Sequence, residues 1–116
     1  MGFLSRIFGS GGPGQSEVDI VTTAEALGDP NVQIIDCRQK HEWKSGHIAG
    51  TKLIPLNMMG QRMNELDKDR PVIVLCRSGH RSSVAVRKLT AAGFVDAKSM
   101  KGGVNAWARA GNKLVS

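Results

Sequence analysis

The sequence predicts one α/β domain, a parallel sheet of about five strands flanked by helices on both faces. Three observations predict it. Short apolar runs are continuous rather than alternating with polar residues, the mark of strands buried on both faces. Segments of helical spacing separate those runs, and parallel strands need such crossovers. The 116 residues hold one domain of ordinary size and no second.

Each element follows in order. Residues 1–16 hold five of the fourteen glycines plus Pro13, a linker composition, so the domain is expected over residues 17–116 behind a Gly-rich tail. Phe3, Leu4, Ile7 and Phe8 have helical spacing, but so short a segment makes no stable isolated helix. Arg6 stands where a myristoylation pattern needs Ser or Thr. Residues 18–21 read as a first strand, and Thr22 with Glu25 as a capping box for a helix ending near Gly28. Residues 32–37 and 52–55 read as the second and third strands. Residues 58–66 read as a helix with Met59, Met63 and Leu66 on one side, and 71–75 as the fourth strand. Over residues 80–92, Ala85, Val86, Leu89 and Ala92 share a helical face opposite Arg87, Lys88 and Thr90. Gly93 suits the left-handed position after that helix, from which Phe94 packs back on Leu89. Residues 97–100 read as a fifth strand, and Val104, Trp107 and Ala108 as the inner stripe of a last helix stopped at Gly111.

Composition narrows the function. Sixteen basic against ten acidic residues give a net charge of +6, which attracts anions. The absence of tyrosine, with only Trp43, Trp107 and three phenylalanines, disfavours nucleic acid as the partner, whose bases want aromatic platforms. Small dianions remain. No apolar run approaches the ~18 residues of a membrane span, and no secretory signal pattern is present, so a cytoplasmic setting is expected. Two cysteines make no disulfide framework. Cys37, His41, His47, Cys76 and His80 lack the paired spacings of a zinc site, and no metal is expected. A monomer is the default for a domain of this size.

The chemistry concentrates in residues 72–83, V-I-V-L-C-R-S-G-H-R-S-S, a buried strand running into Cys76 and then into a helix. Ligand crevices of parallel sheets lie beyond the carboxyl ends of the strands, which is where Cys76 falls. Backbone N–H groups from Arg77 to Ser82 and the helix N-terminus form an anion cradle. With the charges of Arg77 and Arg81, that cradle favours thiolate over thiol and makes Cys76 a nucleophile at neutral pH. A core role for Cys76 leaves the Arg, Ser, Gly, His and Arg that follow it unexplained.

These residues resemble the rhodanese-like sulfurtransferases in their single-domain form, over essentially residues 18–111. Cys76, Arg77, Ser78, Gly79, His80, Arg81 and Ser82 resemble that family's active-site loop. Asp36-Cys37-Arg38 with Glu42-Trp43 is similar to its D-x-R-x-x-x-E-aromatic segment, residues 46–50 to its G-H-I-x-G turn, and Gly102-Gly103 with Trp107 to its closing G-G-x-x-x-W element. The resemblance implies that Cys76 attacks the outer sulfur of a donor such as thiosulfate, becomes a persulfide as sulfite leaves, and passes the sulfur on. The acceptor is cyanide or a thiol, whether a small thiol, thioredoxin or a protein thiol. Arg77 and Arg81 are expected to hold the donor anion, and Ser78, Gly79, His80 and Ser82 to form the cradle. No metal or organic cofactor is needed.

Two rivals are weighed against this. A cysteine phosphatase wants C-x5-R, whereas four residues separate Cys76 from Arg81 here. A non-catalytic docking module commonly lacks the cysteine, which is present. Among supporting residues, Asp36 and Arg38 lie at a strand end near the crevice, and Arg38 with Glu42 suggests an ion pair that pins the crossover. His47 is expected to hydrogen-bond backbone, and Trp43 and Trp107 to pack. Cys37 is either an ordinary buried residue or a second thiol at the same sheet edge, able to form a disulfide or receive sulfur from Cys76.

Overall fold

A computed structural model describes residues 16–116, in which β1 (Glu17–Val18), β2 (Gln33–Asp36), β3 (Lys52–Leu53), β4 (Val72–Leu75) and β5 (Ala97–Met100) form one sheet. The strand order is β1-β5-β4-β2-β3 and every pairing is parallel. The helices are α1 (Ile20–Ala26), α2 (Lys40–Ser45), α3 (Met59–Arg62), α4 (His80–Ala91) and α5 (Gly103–Arg109). The glycine-rich stretch, Ser16 apart, lies outside the described residues.

Alternation along the central strands divides the core in two. Ile35, Val72 and Val74 pack with Met59 of α3 and with Ala85, Val86 and Leu89 of α4. Ile34, Ile73 and Leu75 face the other way, onto Ala26 of α1 and Val104 and Trp107 of α5. All four residues of β4 are 0 % exposed, each burial contributing about 1.5–3 kcal/mol. A strand so enclosed is a rigid support for the loop that follows it.

Local chemistry moved several boundaries. The first strand stops at Val18, because the Asp19 carboxylate accepts the Thr22 N–H at 2.8 Å and starts α1 there. Ile20 and Val21 therefore belong to the helix, and Asp19, not Thr22, is its cap. The capping box that does form joins Gln39, whose N–H donates to Glu42 Oε1 at 2.9 Å. It opens α2, a helix the apolar pattern did not reveal because none of its residues is buried. The helix expected over residues 58–66 is α3 between two 3-10 turns, Leu56–Met58 and Met63–Glu65. In α5, Val104 and Trp107 are buried as expected but Ala108 is exposed.

Candidate active site

Cys76 leaves the end of β4 and is 1 % exposed. Its Sγ accepts the Gly79 N–H at 3.1 Å and the Ser82 N–H at 3.3 Å, and Ser82 Oγ stands 3.5 Å away. Gly79 has φ +114°, the left-handed backbone that turns the loop back over the sulfur before α4 begins. Ser82 is fixed in turn, its Oγ 2.7 Å from Ser99 Oγ on β5.

The second cysteine is beside the first. Asp36 pairs with Leu75 in the register of β2 and β4, and the Cys37 N–H continues that ladder by donating to Leu75 O at 2.9 Å. Cys37 and Cys76 thus stand next to each other on the α4 face of the sheet. The Cys76 thiol is pushed down from 9.0 to about 4, chiefly by the Cys37 thiol as hydrogen-bond donor, against its own burial, with the Ser82 hydroxyl and the Ser82 and Gly79 amides adding to the effect. Cys37 moves the opposite way: donating to Cys76, and buried, it holds its proton far above the usual thiol range. The amides credited from sequence do contribute, but the Cys37 thiol comes first, and neither arginine is among the main causes.

Arg81 is anchored rather than loose. Its Nη1 and Nη2 donate to Glu42 Oε1 and Oε2 at 2.7 and 2.8 Å, and that fork holds the Glu42 carboxyl at about 2. The ion pair expected between Arg38 and Glu42 does not form. Arg38 precedes α2 and folds back onto Asp36, its Nε 3.0 Å and Nη2 2.8 Å from the carboxylate oxygens, with Nη2 also donating to Gly46 O at 2.8 Å. Both partners are buried, so the pair ties the end of β2 to the turn after α2. In that turn His47 Nδ1 lies 3.0 Å from Trp43 O, and the two rings stack at 3.6 Å.

Arg77, Ser78 and His80 are exposed, and among described residues their side chains make no hydrogen bond to Sγ. Arg77 shares a cleft of about 250 Å³ with Arg38, His41, Glu42 and Ser45. Behind the loop, the Val104 and Asn105 N–H groups donate to Cys76 O and Arg77 O at 2.8 and 3.0 Å. A Cβ on Gly103 (φ +61°) would collide with those carbonyls, which is why the helix start carries Gly102-Gly103. Sequence reasoning missed Ser99 and these amides. Only the register of β5 beside β4 brings Ser99 to Ser82.

A parallel α/β domain with a buried cysteine cradled by its own strand-to-helix loop defines a recognisable class. The profile of the Rhodanese-like domain family matches residues 21–110, and the chain belongs to that family. It is 34 % identical over 102 residues to a "Sulfurtransferase" of Allochromatium vinosum, covering 87 % of this chain and 95 % of that one. Similarity at 34 % identity over 98 residues extends to "Thiosulfate sulfurtransferase GlpE" of Pseudoalteromonas translucida, over 84 % and 93 % of the two chains. Protein YqhL of Bacillus subtilis is 39 % identical over 75 residues, 65 % of this chain and 60 % of its own length. A rhodanese-related protein of Thermoplasma volcanium superposes with a TM-score of 0.78 at 25 % identity, covering 86 % and 97 % of the chains. These relatives support a sulfurtransferase or sulfur-carrier role. Among the described residues no helix is long and apolar enough to cross a membrane.

Proposed function

We propose that the chain transfers sulfane sulfur from thiosulfate, or a related anionic donor, to a thiol or cyanide through a persulfide on Cys76. The observation that carries this is the buried Cys76 sulfur held by the Gly79 and Ser82 amides. Such a sulfur is a thiolate at neutral pH and needs no separate base. It attacks the outer sulfur of thiosulfate, the donor's S–S bond breaks, and the bonding pair leaves with sulfite. Arg77 from the open side, and Arg81 from its fixed place on Glu42, offset the donor's charge. Ser78, Gly79, His80 and Ser82 form the cradle that holds the outer sulfur, an anion once sulfite has gone. An acceptor thiolate or cyanide then takes that sulfur and frees the Cys76 thiolate. A relative named for thiosulfate sulfur transfer supports the choice of donor. Two free cysteines fit a reducing cytoplasm, where the chain acts as a monomer.

The test is the intact mass of reduced protein after brief exposure to thiosulfate. The wild type is expected to gain one sulfur atom, which a reductant removes, while folded Cys76→Ser gains none and does not turn over. Sulfur uptake or turnover by Cys76→Ser overturns the mechanism.

A further inference from the structure

Cys37 supports the Cys76 thiolate but exchanges no sulfur in the transfer cycle. It is 0 % exposed and enclosed in the same core cluster as Cys76. Its place is fixed at both ends of its peptide unit: the amide donates to Leu75 O at 2.9 Å, and the carbonyl accepts Leu56 N–H at 3.0 Å. Neighbouring strands run about 4.8 Å apart, inside the Cα separation of ~4.4–6.8 Å that a disulfide accepts. Cys37 and Cys76 lie one step past a paired register and in the same core cluster, so strand spacing puts them in that range.

The contacts of the Cys76 sulfur suit a reaction between them. The Gly79 and Ser82 amides contact the Cys76 sulfur from the loop that follows β4. Cys37 reaches the same atom from the adjoining strand. An anion released from the Cys76 sulfur would meet the N–H donors of Gly79 and Ser82.

We infer that Cys37 is a resolving thiol, which attacks the inner sulfur of the Cys76 persulfide, expels hydrosulfide and closes a Cys37–Cys76 disulfide. This rests on the persulfide reading above. The balance is internal. A bond forms between the two Sγ atoms, and the bond between Cys76 Sγ and the outer sulfur breaks. The outer sulfur leaves as HS⁻, taking the bonding pair and the Cys37 proton. Cys37 and Cys76 end oxidised as a disulfide, the sulfane sulfur is reduced to sulfide, and no further oxidant is consumed. A small dithiol or a thiol–disulfide exchange protein then returns both cysteines to thiols. The consequence is a second output: when an acceptor is scarce, the loaded protein discharges sulfide and rests as a disulfide that cannot reload.

The experiment loads reduced wild type and Cys37→Ser with thiosulfate, removes the donor by desalting, and follows intact mass and released sulfide with no acceptor or reductant present. Wild type is expected to pass from one sulfur atom heavier to two hydrogen atoms lighter than the reduced chain, releasing one sulfide per chain. Cys37→Ser is expected to keep its sulfur at least tenfold longer and release none. Peptide mapping of the wild type, which depends on no variant, is expected to find Cys37 joined to Cys76. Wild type that keeps its sulfur and yields no such cross-link overturns the inference while the persulfide reading stands. If neither form gains sulfur, from thiosulfate or from inorganic polysulfide, the persulfide reading falls and this step falls with it.

Discussion

Replacing Cys37 with alanine removes the donor that contributes most to the Cys76 thiolate. A hydrogen bond to a charged group is worth about 1.5–3 kcal/mol, and 1.36 kcal/mol corresponds to one pH unit in a titration midpoint. The midpoint of Cys76 is then expected to climb from about 4 to roughly 5–6. The sign follows from which form is favoured. The native site stabilises the thiolate, so its advantage persists above the midpoint and is lost as pH falls through it. At pH near 5 the wild type is about nine-tenths thiolate and Cys37→Ala between a tenth and a half, so its rate of sulfur loading drops about two- to tenfold. Cys37→Ser, which keeps a donor, shifts less. The assay is ultraviolet absorbance of the thiolate against pH, with the same protein carrying Cys76→Ser as the blank. A Cys37→Ala midpoint that stays with the wild type refutes the reasoning, because it assigns the low value to the loop alone.

The other expectations concern the frame of the site. Arg81→Ala frees Glu42 from its fork, so the Glu42 carboxyl returns toward 4.5 from about 2, as titration by NMR would register. The same change is expected to raise the KM for thiosulfate more than it lowers kcat, and to remove about 1 kcal/mol of stability, a few degrees in Tm. Asp36→Asn strands the buried Arg38 and is expected to lower the urea midpoint by an amount equivalent to about 3–5 kcal/mol. Gly103→Ala forces a methyl group against the Arg77 and Cys76 carbonyls. That is expected to cost about 2 kcal/mol or more in denaturant titration and to slow sulfur loading at neutral pH.

Much of this was legible in the sequence, and what was not shares a cause. The enclosed strand Val72–Leu75 announced itself by four apolar residues in a row, and the loop after it by its glycine, hydroxyls and arginines. Elements without an apolar stripe left no trace: α2 has no buried residue. Partners were harder than elements. Arg38 and Glu42 stand four apart, a spacing that pairs side chains inside a helix, yet Arg38 lies before α2 and reaches back to Asp36. Glu42 instead finds Arg81, thirty-nine residues on. The adjacency of Cys37 and Cys76 depends on β2 and β4 being neighbours, which chain order does not state. Ser99 required a third strand to be placed as well.

The order of the sheet also says which parts of the chain must be present before the site is framed. Cys76 sits two-thirds of the way along the chain, but Ser99, which orients Ser82, and the Val104 amide, which holds the Cys76 carbonyl, come later. Among the described residues, the first strand pairs in the sheet with β5 alone. A chain that ends before β5 therefore lacks the groups that fix the Ser82 hydroxyl and the Cys76 carbonyl. The frame of the site is complete only when the last strand and the last helix are in place.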